Sequence, residues 1–145
     1  MDAHRHGPHS VFAIHLPLVW VTKYRKPAVA GAVGVRVRDL TREVCGTHDV
    51  LTIRGHVSRG HAHLLASIPP QVAVGRLVQR LKGKAADELL QEFAHLREQF
   101  WGRHVWARGY FCRGSGQVTG EVVKGYIESQ GRGGDAEFGV EGSPE

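Results

Sequence analysis

The chain has 145 residues, of which 41% are hydrophobic and 23% charged, which fits one globular domain and excludes a fibrous or wholly disordered protein. Two cysteines are too few for a disulfide scaffold, and no apolar run approaches the roughly 20 residues that a membrane span requires. The formal net charge is +5, and residues 131–145 hold four acids and one base, so the remainder is near +8. A generic basic surface and a nucleic-acid partner explain that charge about equally well.

The N-terminal half predicts a strand, a helix and a hairpin, in that order. Residues 1–9 are polar and rich in histidine, so we expect a frayed N-terminus without the apolar core of a signal peptide. The apolar run 11–23 predicts a strand, with a bulge or a sheet edge at Pro17 because proline cannot donate a ladder hydrogen bond. Helical spacing of valines and leucines predicts a helix over 30–45, and two strands over 49–58 and 61–68 are expected to form a hairpin.

The C-terminal half predicts three further helices and one strand. The longest helix is expected over 72–93, with an apolar stripe on one side, and a short helix over 94–101. A strand over 106–113 follows, and the last helix begins at Thr119, a favourable N-cap, and ends at residue 130. We expect residues 131–145, which are glycine-rich and acidic, to be disordered. This order predicts an α+β fold over 10–130: a ferredoxin-like or RRM-like antiparallel sheet with helices on one face.

The segment 60–70 ends in a double proline and has the alternation of a strand with one buried face. Alternate side chains of a strand point to opposite faces, so Ala62 and Leu64 share an apolar face with the residues that follow them at the same spacing. His61 and His63 share the other face, where two imidazoles side by side are suited to holding one divalent cation. By itself the pair is weak, since ten histidines produce such spacings by chance and surface or packed histidines are the simpler explanation.

The last helix places Tyr126 and Gln130 on one face, since residues four apart in a helix are neighbours. A tyrosine phenol can attack phosphorus as a nucleophile, and a glutamine carbonyl oxygen can bind a hard cation. Two imidazoles and one oxygen leave coordination positions open, as a catalytic metal requires. On periodicity alone, a core aromatic that packs beside Val122 and Ile127 is the better explanation of Tyr126.

Several blocks of the sequence, in this order, resemble one known family. They are the segments 18–27 (LVWVTKYRKP), 61–65 (HAHLL), 67–70 (SIPP), 80–84 (RLKGK), 106–111 (WARGYF) and 126–130 (YIESQ). With these blocks the chain resembles the small single-tyrosine HUH transposases of the TnpA type, found in bacterial and archaeal insertion sequences. The resemblance covers about residues 10–130.

The resemblance implies a site and a reaction. His61, His63 and Gln130 would be the metal ligands for Mg²⁺ or Mn²⁺, and Tyr126 the nucleophile. Single-stranded DNA with hairpin ends would be cleaved through a 5′-phosphotyrosine and rejoined. The enzyme would be a cytoplasmic homodimer whose active sites are shared between chains, with no membrane partner. Candidate DNA-contacting residues, from charge and the chance of stacking, are Lys23, Tyr24, Arg25, Arg76, Arg80, Lys82 and Lys84.

The chain departs from the family pattern at three positions. Gly60 stands where an acid usually precedes the first histidine, Pro17 where a histidine is common, and Ala62 where valine is usual. The change at Gly60 bears on how the ring of His61 is oriented by its surroundings. None of these changes removes a ligand or the nucleophile, so we expect an active enzyme.

Three alternatives remain open from the sequence. The chain could be a catalytically silent or domesticated binder of hairpins or single-stranded DNA with the same fold. It could be a related tyrosine transposase that acts on genomic palindromes. An RNA-recognition-motif-like RNA binder is disfavoured, because Tyr110 and Phe111 are adjacent and point to opposite faces of a strand.

Overall fold

The computed structural model describes residues 5–6, 11–12, 14–100, 104–112 and 138–142. Within them, two helices and a five-stranded sheet form the body of the domain. The strands are β1 (Arg5–His6), β2 (Val11–Phe12), β3 (His15–Val21), β4 (Leu51–Ser58), β5 (His61–Ser67), β6 (Phe111–Cys112) and β7 (Phe138–Val140). The helices are α1 (Gly31–Thr47), α2 (Val74–Glu92) and α3 (Ala94–Gln99), and a single 3-10 turn occupies Lys23–Arg25.

The main sheet has the strand order β6-β3-β5-β4-β7, and β5 is its central strand. β3 and β4 flank β5 on either side and are both antiparallel to it, with β4 and β5 joined by the two-residue turn Arg59-Gly60. Only β7, which pairs with β4, is parallel. The predicted α+β class with a mostly antiparallel sheet is confirmed, as is the hairpin, whereas the predicted helix carrying Tyr126 lies outside the described residues.

The hydrophobic core lies between one face of the sheet and the two long helices. The alternation in β5 puts Ala62, Leu64 and Ala66 on that face, where each is almost fully buried. α1 contributes its predicted stripe Val33, Val37, Leu40 and Val44, and α2 contributes Leu77, Val78, Leu81, Ala85 and Leu89. Burying these side chains supplies most of the driving force for folding. No helix in the described ranges is both long enough and apolar enough to cross a membrane.

The irregularity expected at Pro17 lies elsewhere in the sheet. β3 pairs with β5 in unbroken register through Pro17, which is opposite Leu65, so the predicted bulge is wrong. The sheet instead has a register shift in β4 between Thr52 and Arg54, which leaves Ile53 as the extra residue. The alternative expectation of a sheet edge agrees better, because β6 pairs with β3 only at Leu18 and Val19.

Short strands are described within the two segments expected to be frayed or disordered. At the N-terminus, Arg5–His6 pairs with Val11–Phe12 in a small antiparallel sheet. At the C-terminus, Phe138–Val140 forms β7, although the segment was expected to be disordered. The remainder of 1–9 and of 131–145 lies outside the described residues.

The strand β7 is held because two glycines leave room for its side chains. Phe138 is only 3% exposed and packs over Gly55, where a Cβ atom would come within 2.7 Å of its ring. Val140 fits above Gly34 in the same way, at 2.5 Å from a Cβ placed there. The backbone of Glu141 donates to Val57 and accepts from Gly31. The tail therefore completes the core and covers the edge of β4.

The predicted strand over 106–113 is shorter than expected. Trp106 forms one bridge with Thr22, and the strand resumes only at Phe111–Cys112. Between them, the ammonium of Lys82 donates to the carbonyls of Ala107 and Gly109, at 2.7 and 2.8 Å. Those carbonyls turn toward α2 and are not available to a ladder, so the strand is interrupted.

Candidate functional site

The paired histidines lie on the face of β5 that points away from the helices. His61 and His63 are both partly exposed, while Ala62 between them is fully buried on the core face. Their ring centroids are 4.6 Å apart, with the planes inclined at 64°. The strand thus presents two imidazoles toward one small volume, as the alternation predicts.

The central position of β5 in the sheet fixes where these rings stand. The cross-strand neighbours are Val19 and His56 for His63, and Val21 and Ser58 for His61. Because both flanking strands pair with β5 at these residues, the backbone under the two rings is held by ladders on both sides. The rings therefore start from a rigid base, which favours a preorganised site.

Burial and neighbouring positive charge keep both imidazoles neutral. Desolvation, followed by the nearby His61 and His56, lowers the pKa of His63 to about 4. Desolvation also lowers the pKa of His61, with smaller effects from His56 and Arg25 in the same direction and from Glu141 in the opposite one. Since a metal binds the neutral imidazole, both rings are in the ligating form at neutral pH without first losing a proton.

His56 is a residue of this face that the sequence analysis overlooked. It stands directly opposite His63 in the β4–β5 ladder, and its charge acts on both paired histidines. The signal was available: a hairpin with the turn Arg59-Gly60 pairs Ser58 with His61 and, two residues further along, His56 with His63. Its ring lies against Gly139 of β7, where a Cβ would be 3.1 Å from Nδ1.

The described residues supply two of the expected metal ligands. Across 14–100, 104–112 and 138–142, no group of three histidine, cysteine, aspartate or glutamate side chains is placed to hold a metal ion. The two rings on one strand face fit a cation that takes its other ligands from elsewhere. Tyr126 and Gln130, the predicted nucleophile and third ligand, lie outside the described residues.

One group of candidate DNA-contacting residues lies beside the histidines. Lys23, Tyr24 and Arg25 form the 3-10 turn that follows β3, and Val21 at the end of that strand is opposite His61. The backbone amide of Thr22 donates to the carbonyl of Gly60 at 2.8 Å, which joins the turn to the residue before His61.

The other group lies on the helix layer, on the opposite side of the sheet from the histidines. Arg76, Arg80 and Lys84 are exposed on α2, and Lys84 is 3.9 Å from Glu43 of α1. The structure therefore does not bring the seven predicted residues together as one surface. Only the turn after β3 adjoins the paired histidines.

Lys82 differs from its expected role as a phosphate contact. Its ammonium is committed to the carbonyls of Ala107 and Gly109, and burial lowers its pKa. The backbone carbonyl of Lys82 accepts a hydrogen bond from the indole of Trp106 at 3.1 Å. Lys82 thus ties α2 to the segment before β6, and its charge is not displayed to solvent as those of its neighbours are.

Of the departures from the family pattern, Gly60 lies in the turn before His61 and Ala62 lies in the hydrophobic core. A Cβ at Gly60 would meet the carbonyl of Arg25 at 3.4 Å and the hydroxyl of Thr22 at 3.7 Å, which are ordinary contacts. Space alone therefore does not require glycine before His61. Ala62 is fully buried in the core, so its size concerns packing against the helices and leaves the histidine face unchanged.

Comparison with known proteins identifies the family of this chain and agrees with the fold. The family model described as "Transposase IS200 like" matches residues 10–130. The ISDra2 transposase TnpA of Deinococcus radiodurans is 31% identical over 120 residues, covering 83% of this chain and 86% of that protein. The transposase for insertion sequence element IS200 of Salmonella typhimurium is 28% identical over 130 residues, covering 88% and 86%.

Two solved structures resemble the fold. A crystal structure of a Deinococcus radiodurans protein assigned as a transposase has a TM-score of 0.71 and 26% identity, covering 88% of this chain and 98% of that one. A REP-associated tyrosine transposase bound to a REP hairpin has a TM-score of 0.59, covering 86% and 68%, and its 8% identity bears on the fold alone. The match over residues 10–130 and the 31% identical relative place the chain in the IS200-like transposase family, among the transposases of the TnpA type.

Proposed function

We propose that this transposase cleaves and rejoins single-stranded DNA at element ends through a 5′-phosphotyrosine at Tyr126. The observation that carries the proposal is the pair His61 and His63, neutral, partly exposed and 4.6 Å apart on the rigid central strand of an IS200-like fold. Neither ring belongs to the main hydrophobic core, which lies on the other face of β5.

The proposed reaction conserves the number of phosphoester bonds. The phenol oxygen of Tyr126 attacks the scissile phosphorus and loses its proton, the bond from phosphorus to the 3′ oxygen breaks, and that oxygen leaves as a 3′-hydroxyl after taking a proton. A second 3′-hydroxyl then attacks the phosphotyrosine and releases the phenol. The strands are rejoined without water or a nucleotide cofactor.

His61, His63 and Gln130 would hold Mg²⁺ or Mn²⁺ in this scheme. The cation, when bound, would polarise a phosphoryl oxygen and stabilise the charge of the transition state. The chain's own contribution is to keep two imidazoles deprotonated and fixed in direction. Because imidazole suits Mn²⁺ better than the oxygen-preferring Mg²⁺, we expect Mn²⁺ to support the reaction at lower concentration.

We propose hairpin-ended DNA and a second copy of the chain as partners, acting in the cytoplasm. The basic body of the protein and the exposed arginines and lysine of α2 support an electrostatic contribution to DNA binding. At the β6 edge of the sheet, Phe111 is 59% exposed and Tyr110 is exposed beside it, which supports burial of this edge in a homodimer. The shared active site of such a dimer belongs to the same proposal.

The test is incubation of the full chain with end-labelled single-stranded element ends and Mg²⁺, followed by a denaturing gel. We expect a covalent protein–DNA adduct that is lost in Tyr126→Phe, in His61→Ala with His63→Ala, and in the presence of a chelator. The matched control His104→Ala replaces an exposed histidine away from β5 and should leave the adduct unchanged. Fully duplex DNA should not react.

Two results would refute the proposal in different ways. Hairpin binding without an adduct under any divalent cation would indicate a catalytically silent DNA-binding protein of the same fold. Equal cleavage of duplex and single-stranded DNA would exclude the proposed mechanism, since the proposed substrate is an unpaired strand.

A further inference from the structure

The turn that follows β3 holds an aromatic side chain in an unusual way. Tyr24 is 78% exposed, the highest value among the large hydrophobic side chains of the described residues that are exposed. Its backbone is left-handed, with φ +61° and ψ +17°, and Arg25 follows with φ +53°. Left-handed backbone costs free energy for residues other than glycine, and asparagine or aspartate tolerate it best.

This strain is not explained by the end of a helix. In the described part of the chain only one other residue besides glycine has positive φ, Asp49, which follows α1 at a position where left-handed backbone is common. Tyr24 and Arg25 are two consecutive bulky residues after a strand. Consecutive strained residues persist where surrounding structure imposes them, and such positions cluster at functional sites.

Surrounding hydrogen bonds impose the conformation. The Thr22 hydroxyl donates to the carbonyl of Lys26 at 2.8 Å across the turn, and the amide of Arg25 donates to the carbonyl of Thr22 at 3.0 Å. The amide of Lys23 donates to the carbonyl of Val105 at 2.8 Å. The Lys26 ammonium donates to the carbonyl of Gln99. The turn is therefore tied to several elements, while the Tyr24 ring is left in solvent.

The surroundings of the ring match the chemistry of a nucleotide. The ammonium groups of Lys23 and Lys26 lie 5.4 and 6.0 Å from the centre of the Tyr24 ring. The Lys26 ammonium is engaged by the carbonyl of Gln99, so Lys23 is the cation left for a phosphate. A π-face for a base beside such a cation is the combination by which proteins bind single-stranded nucleic acid. The carbonyl of Arg25 lies 3.4 Å from a Cβ placed on Gly60, so this platform stands next to the residue that precedes His61.

We propose that Tyr24 is a stacking platform for one unpaired base that flanks the scissile phosphate, and that the strained turn exists to hold the ring in position. This inference rests on the proposed function, because it takes single-stranded DNA as the substrate and the paired histidines as the place of the phosphate. It adds a specific positioning contact on the side of the site formed by the end of β3.

The test distinguishes the contribution of the Tyr24 ring to DNA binding from any contribution of Tyr24 to the stability of the turn. Tyr24→Asn removes the ring and suits the left-handed backbone, so thermal stability should be unchanged or higher. Binding of a single-stranded element end, measured by fluorescence anisotropy in the Tyr126→Phe background at fixed salt, should weaken roughly 5- to 100-fold. Tyr24→Trp should bind within about 3-fold of the parent, since any large aromatic face can stack.

Abasic substitutions along the oligonucleotide locate the partner of the ring. The parent should lose affinity at one position next to the cleavage site, and Tyr24→Asn should lose nothing further there, because the two changes remove the same contact. Leu51→Ala is the matched control: Leu51 is also an exposed hydrophobic side chain, but it lies at the far end of β4, opposite Ser67. It should leave both affinity and the abasic profile unchanged.

The outcomes distinguish this inference from the proposed function. If the wild-type chain forms the adduct while Tyr24→Asn binds every oligonucleotide as the parent does, the platform is refuted and the proposed chemistry stands. If the position-specific loss is seen but no adduct forms under any divalent cation, the platform stands and the chemistry fails. A fall in stability with no dependence on abasic position would show that Tyr24 only supports the turn.

Discussion

The two faces of β5 have opposite character over its first half, whereas Leu65 and Ser67, which follow the histidines on the same face, are buried. On the helix side, Ala62 and Leu64 are almost fully buried and belong to the main core. On the other side, His61 and His63 are partly exposed and stand beside His56 of β4. Over residues 61–64 the strand therefore serves stability with Ala62 and Leu64 and the proposed chemistry with His61 and His63.

This division shows how a small domain can hold a candidate site rigidly. The backbone that carries the histidines cannot shift without disturbing the buried face, since the same peptide groups bear both. The C-terminal strand repeats the division: Phe138 and Val140 enter the core, whereas Gly139 faces the ring of His56. Substitutions on the two faces should consequently have separable effects.

The largest difference between an effect on stability and an effect on activity is expected for the adjacent residues Leu64 and His63. Leu64→Ala should reduce the free energy of unfolding by about 2–5 kcal/mol, because it removes a fully buried side chain and leaves a cavity. His63→Ala should lower adduct formation by at least about 100-fold, since losing even an outer partner of a metal ligand costs about 10–100-fold. Its unfolding free energy at pH 7.5 should change by less than about 1 kcal/mol.

Urea unfolding and the gel assay measure these two quantities on the same preparations. Adduct formation by Leu64→Ala should follow its folded fraction and match the wild type at low temperature. If Leu64→Ala abolishes adduct formation while fully folded, or if His63→Ala unfolds the domain, the two faces are not separable.

A smaller difference in unfolding free energy is expected between alanine substitutions of two glycines on opposite faces of the sheet. In Gly55→Ala the new Cβ would come within 2.7 Å of the Phe138 ring, and overpacking of this kind costs about 1–3 kcal/mol. In Gly139→Ala it would lie 3.1 Å from His56 Nδ1, and a partly exposed ring can move aside, so the cost should stay below about 1 kcal/mol. Urea midpoints compare the two variants directly.

The control for this pair is a compensating substitution. Phe138→Leu in the Gly55→Ala background should recover part of the lost stability, because the smaller side chain leaves room for the new methyl group. Equal destabilisation by Gly55→Ala and Gly139→Ala, without recovery, would indicate that β7 does not pack against β4 as described.

The elements predicted best from the sequence were those whose pattern is local. The alternation around Leu64 and the helical stripes of α1 and α2 each reflect a repeat within one element, so both identified the core-facing residues. The register of the hairpin would also have placed His56 opposite His63, because a two-residue turn fixes which residues of the two strands pair.

The errors concern contacts between segments distant in sequence. β7 lies in a glycine-rich acidic tail whose composition resembles disorder, and its order depends on Phe138 reaching Gly55, 83 positions earlier. The hydrogen bonds from the Lys82 ammonium to Ala107 and Gly109 likewise differ from the predicted phosphate contact, because a lysine on a helix surface is ordinarily solvated. Neither partner is visible from the composition of the segment itself.

A pH dependence of stability is also expected from the histidine face of the described chain. The pKa of His63 is lowered to about 4, below its ordinary value of 6.5, so between these pH values the unfolded chain binds more protons than the folded one. Stability should therefore rise with pH through this window and fall on acidification. His63→Gln removes this contribution, so the variant should lose less stability than the wild type between pH 7.5 and pH 5.

Urea unfolding with a chelator present, to exclude bound metal, measures the difference. The control His104→Gln, at an exposed position of the described chain, should retain the wild-type slope of stability against pH. Equal slopes for wild type and His63→Gln would mean that the ring of His63 titrates as it does in water, and the desolvated histidine face would then have to be reconsidered.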